Sequence, residues 1–133
     1  MTIAKLYDFP ELGDVRGSLV VMDHSCGVPF EIKRAYYIFG TETGVSRGFH
    51  AHKNLQQMAV CITGSCRMVI DNGLSRESVQ LNSPFKAIDL PSMLWHEMHD
   101  FSTDCVLLVL ASDYYDEDDY IRDYCEFEEL IGL

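Results

Sequence analysis

Two histidines separated by a single residue, His50 and His52, are the groups in this sequence best suited to do chemistry. Side chains on a β-strand alternate between two faces, so both imidazoles would project from the same face. Inside a barrel such a pair could take up and return protons near neutral pH, or could bind a metal ion. A coincidental pair, on a surface strand or buried with satisfied hydrogen bonds, stays open at this point.

The residues around this pair extend the pattern. Four residues match the first motif of the cupins, G-x5-H-x-H-x(3,4)-E-x6-G, in register: Gly44, His50, His52 and Gly64. A looser match to the second motif, P-x-G-x-x-H, covers residues 91–96 (PSMLWH) and would make His96 a third histidine. The chain thus resembles the cupins, which implies an all-β fold, a double-stranded β-helix or jelly-roll barrel.

Gln57 stands where the cupin motif has a glutamate. A glutamate supplies an anionic oxygen to a metal, whereas the glutamine carbonyl is neutral and a weaker ligand. Three histidines could still hold a divalent ion. We nevertheless expect no metal and no other cofactor.

The middle of the chain reads as short strands that could position these histidines. The predicted strands are rich in β-branched and aromatic residues and are separated by turns. They cover residues 16–22, 34–39, 57–62, 66–70, 78–81, 87–90 and 106–110. Strands of this length and spacing are typical of a sandwich or small barrel. A short C-terminal helical segment is predicted over residues 115–130, and residues 1–133 are predicted to form a single domain.

Composition excludes several classes of protein. The net charge of −11 argues against nucleic acid and anionic membranes as partners, because both require a basic surface. No secretory signal or membrane-spanning run is visible. The five cysteines include no C-x-x-C pair, which favours reduced thiols in a cytoplasmic protein. Cys61 and Cys105 lie in apolar runs, so we predict that they pack in the core.

A closer resemblance runs over nearly the whole chain. The segments RGFHAHKNLQQ, CITGSCRMVIDNG, WHEMHDFS and VLLVLASDYYDEDDYIRDYCEF are similar to those of the thymidine-diphosphate-linked 4-keto-6-deoxyglucose 3,4-ketoisomerases. These are small cupin enzymes of deoxysugar biosynthesis. The resemblance implies a homodimer that needs no metal, takes a dTDP-linked keto sugar as substrate and uses the barrel interior for acid–base catalysis.

The same resemblance implies roles for individual residues. His52 would be the base that removes the C3 proton, His50 its neighbour in proton transfer, and Tyr37 an active-site hydroxyl. A neutral imidazole suits this reaction because its ordinary pKa of about 6.5 lets it take and give a proton near neutrality.

The predicted substrate-binding residues are Arg47, Arg16, His96 and Lys53. Arg47 could bind the diphosphate or stabilise oxyanion charge, while Lys53 should point away from His52. Arg16 together with His96 resembles the branch of the family that forms the product of galacto configuration.

Three alternatives stay open. A metal-dependent cupin would use His50, His52 and His96 as ligands, and a non-catalytic cupin would only bind a sugar nucleotide. The related carbohydrate 3,5-epimerases also use barrel histidines, although RGFHAHK and the acidic tail fit the ketoisomerases better.

Overall fold

A computed structural model describes residues 2–132 and shows, within them, a chain built mainly from antiparallel strands. The strands are β1 Leu6–Asp8, β2 Leu12–Asp14, β3 Gly17–Leu19, β4 Arg34–Phe39, β5 Arg47–His52, β6 Gln57–Thr63, β7 Cys66–Asp71, β8 Arg76–Leu81, β9 Lys86–Leu90, β10 Trp95–His99, β11 Val106–Ala111 and β12 Tyr120–Ile121. A short 3-10 turn spans Glu117–Asp119, and helix α1 spans Tyr124–Leu130.

Two five-stranded sheets form the body of the protein. The first has the strand order β1-β9-β6-β11-β4, and the second has the order β12-β5-β10-β7-β8. Their apolar faces share one core, to which the first sheet contributes Ile88 and Leu107 and the second contributes Met68 and Ile70. This arrangement confirms the predicted all-β fold and follows from burying the apolar face of each sheet against the other.

The outer faces of the two sheets are covered differently. Helix α1 lies over the second sheet, where the fully buried Phe127 packs with Ala51, Trp95 and Ile121. The segment that precedes β4 covers the first sheet with Val28 and other apolar side chains. The helix therefore fixes the back of β5, the strand that carries the H-x-H pair.

The tail is less helical than predicted over residues 115–130. Tyr120 and Ile121 pair with His52 and Ala51 as strand β12, so helix α1 begins only after this pairing ends. The Asp123 carboxylate caps the helix by accepting a hydrogen bond from the backbone of Cys125. Backbone pairing and the burial of Ile121 outweigh local helix preference here.

The hairpin β2–β3 stands apart from both sheets. Its residues are exposed on both faces, including Leu12 and Leu19, and Val15 in its turn is fully exposed. The predicted strand over residues 16–22 is thus shortened to Gly17–Leu19. Among the described residues, no helix has the length and apolar character needed to cross a membrane.

Candidate active site

Strand β5 carries His50 and His52 into the barrel interior, as the alternation of side chains predicted. Their ring centroids lie 5.0 Å apart. The pairing of β5 with β10 is irregular next to His96, and Phe49 adopts the left-handed conformation with φ 60°. Gly48 is required at this bulge, because a Cβ there would lie 3.0 Å from the carbonyl oxygen of His96. Local backbone strain therefore helps to aim His50 inward.

His96 on β10 joins the pair, so three imidazoles converge inside the barrel. The ring centroids of His50 and His96 are 4.6 Å apart, and one ring nitrogen from each of the three histidines lies within 4.8 Å of the others. Within residues 2–132, each of the three histidines has one buried ring nitrogen with no hydrogen-bond partner: His50 Nδ1, His52 Nε2 and His96 Nδ1. Such a cluster can exchange protons or ligate a divalent ion.

Asp119 orients His52 from the 3-10 turn before β12. His52 Nδ1 lies 3.2 Å from Asp119 Oδ2, and the backbone amides of Asn54 and Leu55 donate to the same carboxylate at 2.8 and 3.2 Å. Because an ionised carboxylate only accepts hydrogen bonds, this contact assigns the proton to Nδ1 and leaves a lone pair on Nε2. His52 is thus held in one orientation and one tautomer.

Burial keeps the three histidines neutral. It lowers the pKa of His52 to about 4, with the neighbouring His50 adding to the effect and Asp119 opposing it. Burial also lowers the pKa of His50 and, further, that of His96. Because the charged form is disfavoured in this environment, each imidazole is a free base at neutral pH.

A cavity of about 480 Å³ opens next to His50 and gathers positive charge. Its wall includes three arginines, Arg34, Arg47 and Arg122, together with Tyr36. In a chain of net charge −11 this concentration is the feature expected of an anion site. Guanidinium groups suit a diphosphate, whose oxygens they can bind in pairs.

Two of these arginines are held in place by aromatic rings. The Arg122 guanidinium lies 4.2 Å from the centroid of Tyr120 and donates to Glu117 at 2.9 Å. Arg34 lies 5.3 Å from the ring centroid of Tyr36. Within residues 2–132 the buried Arg34 Nε has no hydrogen-bond partner, so this donor is available to a ligand.

Tyr37 lies outside the cavity wall of its own chain, so its predicted role as an active-site hydroxyl stays a prediction. Its side chain is 63% exposed on the outer face of β4, beside Phe39. Alternation instead turns Tyr36 inward, where its hydroxyl donates to Gln57 Oε1 at 3.1 Å. Burial, with a smaller contribution from Tyr120, raises the pKa of Tyr36 to about 12, so the phenol stays protonated and can donate a hydrogen bond.

The structure places two of the four predicted substrate-binding residues at the site and the other two outside the cavity wall. Arg47 lines the cavity, and His96 lies directly behind His50 with only 2% of its surface exposed. Arg16 lies outside the cavity wall, in the turn of the β2–β3 hairpin, where its exposed guanidinium pairs with Asp14. The Lys53 side chain is exposed and also outside the wall; only its backbone amide takes part, by donating to the Asp119 carbonyl.

Sequence reasoning missed four residues of this site: Arg34, Asp119, Tyr120 and Arg122. Three of them belong to the acidic tail, which by composition is a solvated face. The available signal was the buried Ile121, whose apolar side chain interrupts the charged run and indicates that the segment docks. Arg34 occupies the same face of β4 as Tyr36, as period-two alternation indicates.

Comparison with known proteins gives a consistent result. The family model described as FdtA, WxcM-like, C-terminal, matches residues 2–132. A TDP-4-oxo-6-deoxy-alpha-D-glucose-3,4-oxoisomerase of Aneurinibacillus thermoaerophilus is 51% identical over 128 residues, which cover 96% of this chain and 92% of that protein.

Solved structures agree in fold over the whole chain. A 3,4-ketoisomerase from Helicobacter canadensis has a TM-score of 0.94 and 41% identity, with 100% of each chain covered. QdtA, a 3,4-ketoisomerase of Thermoanaerobacterium thermosaccharolyticum, also has a TM-score of 0.94. Its histidine-to-asparagine mutant, solved with TDP-4-keto-6-deoxyglucose, is 36% identical, with 98% of this chain and 96% of QdtA covered.

A second structure of QdtA contains TDP and a double mutation, tyrosine to arginine and arginine to histidine. It is 39% identical, with the same coverage of the two chains.

Proposed function

This chain belongs to the FdtA family of WxcM-like C-terminal domains, and from that premise we propose that it is a TDP-sugar 3,4-ketoisomerase acting on TDP-4-keto-6-deoxyglucose. The relatives named as 3,4-ketoisomerases support this function, and QdtA binds TDP and the keto sugar. The observation that carries it is the meeting of neutral histidines with three arginines at one cavity.

The reaction requires a base at C3 of the hexose, an enediol intermediate and an acid at C4. His50 lines the cavity, so we assign to it the contact with the sugar. His52 stands behind it with a free Nε2 and a fixed Nδ1–H, so it serves as the proton relay that Asp119 holds in position. This division differs from the expectation that His52 meets the sugar directly.

The remaining groups of the cavity bind the substrate in this proposal. Tyr36 donates a hydrogen bond to a sugar oxygen where negative charge develops in the enediolate, and its hydroxyl then accepts from Gln57 Nε2, which lies 3.3 Å away, instead of donating to Gln57 Oε1. Arg34, Arg47 and Arg122 bind the diphosphate, and the free Arg34 Nε supports this assignment. Each of these donors is charged or stays protonated at neutral pH, so their role is independent of the proton relay.

The alternative of a metal-dependent cupin is favoured by one observation, the three ring nitrogens within 4.8 Å. We propose proton transfer without a metal, because neutral imidazoles suffice for an enediol mechanism. The side chain of Gln57 supports this choice, since both ends of its amide lie within hydrogen-bond distance of the Tyr36 hydroxyl.

We propose that the enzyme is a homodimer. A two-stranded hairpin exposed on both faces is marginal in water, and β2–β3 carries the apolar Leu12, Val15 and Leu19 into solvent. The exposed Tyr37 and Phe39 on the edge strand β4 add an apolar surface. A second copy of the chain would cover both the exposed hairpin and the apolar surface on β4.

The free thiols support the expected cytoplasmic location.

We propose the galacto configuration at C4 of the product. His96 enters the cluster from β10 rather than β5, so it can direct protonation from a different side. Arg16 lies on the exposed hairpin and would reach a cavity only through a partner subunit. The QdtA double mutant, which gains an arginine and a histidine, supports a linked role for these two residue types.

The decisive experiment is incubation with TDP-4-keto-6-deoxyglucose in heavy water, followed by NMR of the product. We expect a 3-keto sugar of galacto configuration with deuterium at C4. Recovery of unchanged substrate would contradict the ketoisomerase function, whereas a gluco product would contradict only the stereochemical assignment. The His24→Asn variant is a matched control, because this histidine is exposed and outside the cavity wall.

A further inference from the structure

Three cysteines converge in the core at a place that the ketoisomerase function does not use. Cys61 at the end of β6, Cys66 at the start of β7 and Cys105 before β11 are all buried. The Cys61 sulfur lies 3.7 Å from each of the other two, and all three sulfurs lie within 4.8 Å of one another. None of the three lines the cavity next to His50.

The triangle of sulfurs has the dimensions of a three-coordinate site. A central atom bonded to three sulfurs at about 2.3 Å, the length of a zinc–thiolate bond, holds them about 3.5–4.0 Å apart. Two of the three edges already have this length, so a thiophilic atom could enter with small side-chain movements.

The surroundings determine which thiophilic atom fits. The thiols belong to the apolar core and pack among residues such as Met68, Phe101 and Leu107. Cu(I) bound by three thiolates would carry a net charge of minus two, and Zn(II) a net charge of minus one. Burying such a charge without a cationic partner is costly, so this core favours a centre whose trithiolate complex is neutral.

We propose that Cys61, Cys66 and Cys105 form a binding site for trivalent arsenic, held as a neutral trithiolate. Arsenous acid, As(OH)₃, condenses with three thiols to give As(S-Cys)₃ and three water molecules. Three As–O and three S–H bonds break while three As–S and three O–H bonds form, and arsenic stays in the trivalent state.

The protonation state of the thiols supports this choice. Hydrogen bonding with Cys66 and burial raise the pKa of Cys61, and burial with the neighbouring Cys61 raises that of Cys105 to about 12. The thiols of Cys61 and Cys105 are therefore protonated at neutral pH. Condensation with arsenous acid releases no net proton, whereas binding of Cu(I) or Zn(II) requires deprotonation.

Entry is expected through the turn that covers Cys105. Thr103 and Asp104 in this turn are exposed, and its hydrogen bonds include Ser102 N to the Ser65 carbonyl at 2.9 Å. Gly64 lies tightly against the turn, since a Cβ there would come within 2.7 Å of the Cys105 Cα. Opening this turn gives a small neutral solute access to the sulfurs without unfolding the barrel.

The test uses the reduced, full-length protein and arsenite under anaerobic conditions. Native mass spectrometry should show one arsenic per chain, and arsenic X-ray absorption should show three sulfur neighbours and no oxygen. Thermal unfolding should shift to a higher temperature, because the ligand binds the folded state and joins three strands of the core. Binding should proceed without proton release at pH 7.

Matched variants locate the site. The Cys26→Ser/Cys125→Ser double variant removes the two exposed thiols and should bind arsenic as the parent does. Cys61→Ala and Cys105→Ser each remove one of the three sulfurs, so neither variant should hold arsenic with three sulfur neighbours, and circular dichroism verifies that each variant folds. If Cys61→Ala does not fold, Cys105→Ser provides the same test.

Three results would overturn the proposal: arsenic bound through the exposed thiols, fewer than three sulfur neighbours in the parent protein, or preferential binding of Cu(I) in an equimolar competition. Each can be distinguished from a failure of the proposed ketoisomerase function, because none of these measurements involves the sugar.

Discussion

Within residues 2–132, the barrel contains two clusters of three ligand-bearing side chains, and their surroundings differ. The imidazoles of His50, His52 and His96 and the thiols of the cysteine cluster each bring one atom per residue within 4.8 Å. The histidine cluster opens on a cavity lined by arginines and is oriented by Asp119. The thiol cluster is enclosed by apolar side chains.

Convergence of ligand-bearing side chains by itself does not define a catalytic site. Burial disfavours the charged form in both clusters, but that form is the protonated imidazole in one cluster and the deprotonated thiolate in the other. Burial leaves the imidazoles deprotonated and able to accept a proton, whereas it leaves the thiols of Cys61 and Cys105 protonated and poor nucleophiles. Within residues 2–132, the histidine cluster has an adjoining cavity and the Asp119 carboxylate that orients His52, whereas none of the three thiols lines that cavity.

The largest expected effect is at His50. The His50→Asn variant should lower kcat by about 10²–10⁴-fold, the usual contribution of a general base, while TDP affinity changes little. Steady-state kinetics and calorimetric titration with TDP measure the two quantities, with His24→Asn as the control. A variant that keeps its activity would remove His50 from contact with the sugar.

The His52–Asp119 contact should have the next largest effect. We expect Asp119→Asn to lower kcat by about 10–100-fold, part of the ~10²–10⁴ that a general base provides, because the amide no longer fixes the tautomer of His52. Combining it with His52→Asn should add little further loss, since the two residues act as one unit. Full additivity of the two changes would contradict this coupling.

The pH dependence should separate the clusters. The folded-state pKa of His52, about 4, lies below its ordinary 6.5, so its contribution to stability is complete above 6.5 and is lost as pH falls toward 4. The folded-state pKa of Cys105 is raised from 9.0 to about 12. Its contribution to stability is therefore complete below pH 9.0 and is lost as the pH rises toward 12.

Denaturant titrations across this pH range measure the free energy of unfolding, both where it falls at low pH (the acid limb) and where it falls at high pH (the alkaline limb). His52→Asn should flatten the acid limb alone, and Cys105→Ala should flatten the alkaline limb alone. An acid limb that is unchanged in His52→Asn would show that other groups determine it.

Truncation of a core thiol should affect stability but not catalysis. We expect Cys61→Ala to lower the free energy of unfolding by about 1–2 kcal/mol through loss of core packing, with kcat unchanged. Denaturant unfolding and kinetics under the same conditions provide the comparison. A large loss of kcat in a stable, folded variant would mean that the two clusters are coupled.

Removal of metal ions should have the smallest effect on the enzyme. Dialysis against a strong chelator should leave kcat unchanged, because the proposed mechanism moves protons between neutral imidazoles. Loss of activity that a divalent ion restores would instead assign the three histidines to a metal site. The untreated enzyme, dialysed in parallel, is the control.

Local patterns along the chain were sufficient to predict several of the strands and the inward pair of histidines. Period-two alternation and β-branched residues predicted strands close to β4, β6, β7 and β11, and the H-x-H spacing predicted that His50 and His52 share a face. These features were predictable because they depend on local geometry along one strand. Apolar neighbours likewise indicated that Cys61 and Cys105 are buried, and both are.

Contacts between side chains of different strands depend on how the strands pack in the folded protein. Alternation allowed either Tyr36 or Tyr37 to face inward, and the position of β4 against β11 selected Tyr36. Pairing of β12 with β5 brought Asp119 to His52 across 67 residues, and the β6–β7 and β11 ends brought three thiols together. Such contacts depend on strand order and sheet packing, which residue spacing along the chain does not encode locally.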